Sequence, residues 1–296
     1  MRVLIAGASG LIGTSLTTRL RGSGHEVIRL VRREERAGDE RRWDPPAGEI
    51  ADGALDGVDA VVNLAGAPLL PGRWSAARKQ VLLDSRVEPT EVLAEAVAEH
   101  GIPVLVNASA VGYYGPHGDE PLPEDTPPGD DFLARVCVVW EREAQAAEEL
   151  GMRVVLVRTG VVLDKDGGAL GKMLPFFKAG VGGPVAGGDQ LMPWVHADDV
   201  AGIYLRAIDD ASWSGPVNAT APQPVTNKAF SKALGRALKR PAIAPVPAFA
   251  IQLLYGDMSE IVTKGQNAVP ARTLELGYRH VHPDLDEALR SAVGSD

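Results

Sequence analysis

Three glycines near the start of the chain, Gly7, Gly10 and Gly13, share a G-x-x-G-x-x-G spacing within Gly7-Ala8-Ser9-Gly10-Leu11-Ile12-Gly13. That spacing suits a phosphate cradle, because a Cβ would hold the backbone away from a pyrophosphate and away from the neighbouring strand. Further on, Arg32 and Arg33 close an apolar run, and the first acid after them is Glu34. An acid at this place binds a ribose 2′-hydroxyl, whereas a guanidinium grips a 2′-phosphate in a bidentate fashion. These residues predict a dinucleotide site lined by Gly7, Ser9, Gly10, Leu11, Ile12 and Gly13, with Arg32 and Arg33 favouring NADP over NAD. Other chemistry is sparse. Cys137 is the sole cysteine, which excludes an internal disulfide and a CxxC zinc site, and the six histidines show no HExxH spacing, so no metal site is expected.

The elements that would position these residues follow from the apolar pattern. Val3–Ala6 reads as a strand, the glycines open a helix that runs to about Arg21, and Val27–Val31 follows as a second strand after Gly22-Ser23-Gly24. This βαβ unit places a pyrophosphate on a helix N-terminus. A strand is expected at Val58–Leu64, followed by a turn in which Leu64, Ala65 and Gly66 lie under the cofactor. A helix is expected over Pro89–His100, a strand at Val104–Ala108, a helix around Trp140–Leu150 and a strand at Arg153–Val157. The proline-rich segment Gly115–Asp131 reads as a long functional loop. Strands alternating with helices predict an α/β fold, a Rossmann-type doubly wound parallel sheet. Beyond Leu163 the pattern loosens into glycine-rich Gly167–Gly188. Helices are then expected near Asp199–Ala207, Asn227–Leu238, Ala248–Val262 and Asp284–Ala292. The expected division is an NADP-binding domain at 1–163 and a smaller, mainly helical lobe at 164–296, with segments interleaving between them.

Bulk properties narrow the function. At 296 residues and 45% hydrophobic composition the chain can bury a full core. A net charge of −9 argues against nucleic acid and anionic membranes as partners. No apolar run is long enough to span a bilayer, and a first strand at Arg2 or Val3 leaves no room for a signal peptide, so a cytoplasmic location is expected. A homo-oligomer is compatible with the sequence.

Several motifs carry a resemblance. GASGLIG, VDAVVNLAG (Val58–Gly66), NASAVGYYG (Asn107–Gly115) and GGDQLMPWVHADDVA (Gly187–Ala201) resemble the short-chain dehydrogenase/reductase superfamily in its extended, sugar-nucleotide-epimerase-like branch. WDPPAGEI, SRVEPTEVL, the GYYG form of the serine loop and the tail from LLYGDMSEIV to YRHVHPDL resemble an atypical "epimerase family protein" subgroup with a small C-terminal domain. The resemblance implies an NADP(H)-dependent oxidoreductase or epimerase.

The departures from that pattern bear on mechanism. Superfamily members work through a Tyr-x-x-x-Lys pair and an upstream Ser or Thr, the lysine lowering the tyrosine pKa so that the phenol can exchange a proton. Counted back from Glu141, the tyrosine slot holds Leu133 and the lysine slot holds Cys137. The serine persists as Ser109, and Arg86 replaces the helix asparagine. The candidate catalytic residues are therefore Ser109, Cys137, Arg86 and Tyr113. Cys137 would act either as a thiol of lowered pKa beside the nicotinamide or simply as a small buried hydrophobe. His117 and His196 are expected to be structural or to orient substrate, and Asp198 and Asp199 to cap a helix. The position where the branch carries a diphosphate-binding arginine holds Met192. With Tyr114 and Trp194, and with Met173 and Phe176 nearby, it predicts an apolar pocket for a small substrate other than a nucleotide sugar. A second reading is a non-catalytic NADP(H)-sensing module that presents its C-terminal lobe to a protein partner.

Overall fold

The computed structural model describes residues 1–69, 73–256 and 259–294. Arg2–Ala6 (β1) places alternate side chains on opposite faces: Val3 and Ile5 enter one buried cluster, Leu4 and Ala6 another. Leu11–Gly22 (α1) follows, then Glu26–Val31 (β2), Glu40–Asp44 (β3) and Glu49–Ile50 (β4). Next come Ala60–Asn63 (β5), Ala76–Glu99 (α2), Val104–Ala110 (β6), a 3-10 turn at Val111–Tyr114, and Pro121–Leu122 (β7). Phe132–Glu149 (α3) and Arg153–Thr159 (β8) complete this half.

The second half contains Val161–Leu163 (β9), Gly168–Lys178 (α4), Leu191–Met192 (β10), Trp194–His196 (β11), Ala197–Asp209 (α5), Gly215–Ala219 (β12) and Val225–Thr226 (β13). Asn227–Leu238 (α6), Ala248–Tyr255 (α7), Ser259–Thr263 (α8), Asn267–Ala268 (β14), Ala271–Glu275 (α9) and Leu285–Val293 (α10) follow.

The main sheet has eight strands in the order β12-β8-β6-β5-β1-β2-β3-β4, with parallel neighbours everywhere except the β3–β4 hairpin. One face is covered by α1 and α5, through Leu16, Leu20, Val200 and Ile203; the other by α2 and α3, through Leu93, Val97, Ala144 and Ala147. Cover on both faces explains why β5, β6 and β8 read as continuous apolar runs. The strand order reverses at β1, between β2 and β5, which is where open α/β sheets bind ligands beyond the strand carboxyl ends. The second lobe is built on Leu163, Leu170, Leu174, Phe177, Trp194, Phe230, Leu234 and Leu289. The chain re-enters the main sheet between these pieces, at β12.

Two expectations change. The helix expected from Pro89 begins at Ala76, where Ser75 Oγ accepts the Arg78 N–H at 3.2 Å. Pro89 sits inside it, and packing of α2 on α3 and the sheet outweighs the roughly 3 kcal/mol that an interior proline costs. The helix expected over Ala248–Val262 comprises α7 and α8, with residues 257 and 258 of that expectation lying outside the described residues.

Candidate functional site

The glycine loop joins β1 to α1. Gly7 has φ +80°, and a Cβ there would lie 2.7 Å from the Leu64 carbonyl, so the turn can pass under Leu64 and Ala65 only as glycine. At Gly13 a Cβ would come within 2.4 Å of the Gly7 carbonyl oxygen, which is what lets the first turn of α1 lie on the loop. Gly10 is the N-cap of α1 and no side chain caps the helix, leaving its first-turn N–H groups for an anion. A Cβ on Gly10 would meet only the Gly7 oxygen at 3.4 Å, so the outer side of the cradle is open. From the second lobe, Gly167 and Gly168 approach Leu11. These features fit a dinucleotide pyrophosphate.

At the end of β2 the two arginines differ. Arg33 forms a bidentate pair with Glu40 at 2.7 and 2.8 Å, and the Arg33 guanidinium, aided by the Arg36 N–H, holds that carboxyl at about 2. Arg32 is exposed and makes no ion pair among the described residues. The expectation that both arginines meet a 2′-phosphate is corrected to this extent: the Arg33 fork is already taken by Glu40, and Arg32 is the uncommitted cation.

Under the Leu64-Ala65-Gly66 turn lies a buried polar network that the sequence reading missed. Asn63 Nδ2 donates to Thr90 Oγ1 and to Asn107 Oδ1, both at 2.8 Å, while its Oδ1 accepts the Ala65 N–H at 3.0 Å. Trp140 Nε1 donates to the same Thr90 oxygen at 2.9 Å. This fixes the turn beside the glycine loop. The available signal was an asparagine in each of two apolar strands, Asn63 closing β5 and Asn107 inside β6. Arg86 lies beside Gly66, stacks on Trp140 at 5.2 Å and donates to the carbonyls of Leu82 and Ala67 at 2.9 and 3.2 Å. It has no carboxylate partner among the described residues, and burial lowers its pKa.

Ser109 and Cys137 come together with less chemistry than expected. Ser109 is buried and its hydroxyl donates to Glu141 Oε1 at 2.6 Å. Glu141 also receives Arg158 through two bonds of 2.8 Å. Cys137 is 4% exposed, with Sγ 3.8 Å from the Ala110 carbonyl oxygen. The 3-10 turn lies over it, with Gly112 against Leu133 and Cys137. Burial, reinforced by the Glu141 carboxylate, pushes the thiol up to about 12. The lowered-pKa role is therefore corrected: Cys137 is a protonated, covered thiol.

Two residues expected to line a pocket lie instead in the core. Tyr114 is fully buried; its hydroxyl donates to Asn218 Oδ1 at 2.8 Å and accepts from Arg158 at 3.1 Å, and burial pushes the phenol to about 12. Trp194 is 1% exposed within the second lobe's core, its Nε1 donating to the Gln223 carbonyl at 3.1 Å. Neither lines an open pocket. Met192 is half-buried against that core, with Sδ 3.2 Å from Asn227 Nδ2, and Phe176 faces solvent. Tyr113, by contrast, is half-buried with Arg158 Cζ 3.5 Å over its ring, and its hydroxyl has no partner among the described residues. His196, rather than Asp198 or Asp199, caps α5, its Nδ1 accepting the Asp198 N–H at 3.1 Å. His117 is tied to the Tyr114 carbonyl at 3.0 Å. No helix among the described residues is long and apolar enough to cross a membrane.

The strand order, the glycine loop at its switch point and the serine strand beside α3 define a dinucleotide-binding Rossmann protein of the short-chain dehydrogenase/reductase type. The chain belongs to the NAD dependent epimerase/dehydratase family, whose model matches residues 3–218, while a domain of unknown function, DUF1731, matches residues 246–292. It is 46% identical over 292 residues to an epimerase family protein of Mycobacterium bovis, covering 98% of this chain and 97% of that protein. The crystal structure of human epimerase family protein SDR39U1 with NADPH is similar at a TM-score of 0.92 and 37% identity, covering 100% of both chains. MoeE5, solved with UDP-glucuronic acid and NAD, shares the fold at a TM-score of 0.80 and 24% identity, covering 99% of this chain and 98% of that one.

Proposed function

We propose that this protein is an NADP(H)-dependent oxidoreductase, or an epimerase using the same hydride chemistry, in which Tyr113 and Arg158 stand in for the superfamily's tyrosine and lysine. The single observation that carries this reading is the Arg158 guanidinium 3.5 Å above the Tyr113 ring. The contact sets a fixed cation beside a phenol, as the superfamily's Tyr-x-x-x-Lys pair does with its lysine. Glu141 holds Arg158 in place with its paired oxygens, although burial works against the charge. Tyr113 is half-exposed, and its hydroxyl has no partner among the described residues.

NADPH binding is supported by the glycine cradle, by Arg32, which makes no ion pair among the described residues, and by the NADPH in human SDR39U1. Bound NADP(H) would supply or take the hydride. Gly7–Gly13 and the first turn of α1 would hold its phosphates, and the turn at Leu64-Ala65-Gly66 would pack beneath it. Tyr113 would give a proton to the oxygen of a reduced carbonyl, or take it in the reverse direction, while Arg158 holds its ring in place. The absence of a guanidinium at Met192 favours a small substrate other than a nucleotide sugar. A cytoplasmic location fits this role.

A second reading, a cofactor-sensing module without turnover, is favoured by Leu133 and the covered Cys137 in the two catalytic slots. One experiment separates them. The protein is incubated with NADPH tritiated at C4 and a fractionated metabolite pool, and stereospecific loss of label is followed. Turnover that disappears in Tyr113→Phe with NADPH affinity unchanged supports the enzyme. Tight NADPH binding with no loss of label supports the module.

A further inference from the structure

β11 ends on His196, and α5 opens with Ala197-Asp198-Asp199. The chain returns to this corner near its C-terminus. The Asp199 carboxylate accepts the backbone N–H groups of Val281 and His282 at 2.7 and 3.0 Å and the Tyr278 hydroxyl at 3.0 Å. That anchorage lays the His282 ring against the His196 ring, with centroids 3.9 Å apart. Asp198 reaches both rings: its Oδ2 lies 3.5 Å from His196 Nδ1 and 3.3 Å from His282 Nε2. One ring nitrogen from each histidine and one Asp198 oxygen all fall within 4.8 Å of one another.

We propose that His196, Asp198 and His282 form a binding site for a divalent transition-metal ion of the zinc class, which ties the C-terminal segment to the start of α5. Bonds of about 2.0–2.2 Å to nitrogen and oxygen, set tetrahedrally, place neighbouring donors about 3.3–3.5 Å apart. The two Asp198 separations match that edge. Two imidazoles with one carboxylate suit zinc, nickel or copper rather than magnesium or calcium.

The surroundings are those of a ligand set. His196 Nδ1 accepts the Asp198 N–H, so that nitrogen carries no proton. A metal would replace that N–H as the partner of the Nδ1 lone pair. His282 turns its other nitrogen, Nδ1, towards Glu287 Oε1 at 3.5 Å without a hydrogen bond, close enough for that carboxylate to orient the ring of a ligating histidine once it shifts slightly. His196 Nε2 is likewise buried without a hydrogen bond, on a side chain only 7% exposed. Asp198 is 53% exposed, which leaves an entry path and a position for water as a fourth ligand. The charges facing the pair, Asp198, Asp199, Asp164 and Glu287, are all negative.

The test uses the full chain, stripped with a chelator and titrated with ZnCl2 by calorimetry, with the unfolding midpoint recorded with and without zinc. The wild type is expected to bind one equivalent and to melt higher with zinc. His282→Ala and Asp198→Asn should each weaken that binding at least a hundred-fold and abolish the shift in midpoint. Glu287→Gln should weaken it about ten-fold. Asp198 is largely in solvent, so its variant keeps the fold even if His282→Ala does not. Absence of saturable zinc binding in the wild type would overturn the proposal. So would a zinc equivalent that survives Asp198→Asn and His282→Ala unchanged, which would belong to histidines elsewhere on the surface.

Discussion

Ser109 and Glu141 are joined by a buried hydrogen bond of 2.6 Å, the serine hydroxyl donating to the carboxylate. The serine that faces substrate in the wider superfamily is here part of a strut. Glu141 passes the connection to Arg158, and Arg158 to the Tyr114 hydroxyl and the Glu124 carbonyl. Glu124 in turn takes the backbone N–H groups of Asn218 and Arg272 on its carboxylate at 2.9 and 3.0 Å. One buried chain of polar contacts thus runs from α3 through β8 and the long loop to β12 and α9. Its by-product is an immobilised guanidinium lying over Tyr113.

Removing one member of that chain leaves the others buried and unpaired. Glu141→Gln should therefore destabilise the fold by about 3–5 kcal/mol, the usual cost of breaking a buried ion pair from one side. The measurement is a urea melt. A loss below about 1 kcal/mol would show that Arg158 finds solvent or another partner.

Cofactor preference should divide between the two arginines unequally. Arg32 makes no ion pair among the described residues, so Arg32→Asp should reduce the preference for NADP over NAD by about ten- to a hundred-fold, the equivalent of one charge-assisted contact. Arg33→Ala should change the preference less and stability more, because Glu40 would lose its bidentate partner. Calorimetric titration with both cofactors checks this, and equal effects at the two positions would count against it.

Gly10→Ala and Gly13→Ala offer a contrast within one loop. A methyl at Gly13 would stand 2.4 Å from the Gly7 oxygen and 2.7 Å from Ala8 Cα, both backbone atoms that cannot swing away. Destabilisation of about 1–3 kcal/mol is expected there, together with loss of cofactor binding. At Gly10 the nearest atom is 3.4 Å away, so the variant should keep its melting temperature and lose affinity alone. Thermal melts beside NADPH titrations distinguish the two.

Much of this was legible in the residues, for identifiable reasons. The β1–α1–β2 unit declared itself because the glycines have fixed spacing and the apolar runs on either side are uninterrupted. The region from Glu40 to Ile50 did not, because β3, next to the two-residue edge strand β4, carries Glu40, Arg41, Arg42 and Asp44 in five residues. Trp194 was read as pocket lining because a short apolar stretch cannot say whether its ring faces a cavity or a core. The His196–His282 contact was out of reach, since it depends on how Asp199 captures a distant stretch of backbone.

Sugar nucleotides should be poor substrates. Met192 packs against Asn227 and offers no guanidinium to a diphosphate, and Leu133 removes the phenol from its usual slot. UDP-glucose and UDP-galactose should show no interconversion at ordinary enzyme loading. Turnover near 1 per second, within the usual enzyme range, would mean that another cation holds the diphosphate.

Cys137 should behave as a buried thiol with a measurable pH signature. Its pKa rises from an ordinary value of 9.0 to about 12 on folding. The folded state therefore favours the protonated form, so this contribution to stability is complete below the unfolded pKa. It falls as pH rises through 9 and towards 12, as the unfolded chain ionises and the folded one does not. Cys137→Ala should flatten the alkaline side of the stability profile measured by urea melts between neutral pH and about pH 10.5. At pH 8 a small alkylating reagent should label the folded wild type only as fast as the protein opens, with or without NADP, and label the denatured chain at once. Rapid labelling of the folded protein that NADP suppresses would give a different result, placing a reactive thiol against the cofactor and returning Cys137 to the chemistry that the Tyr113–Arg158 pair is proposed to perform.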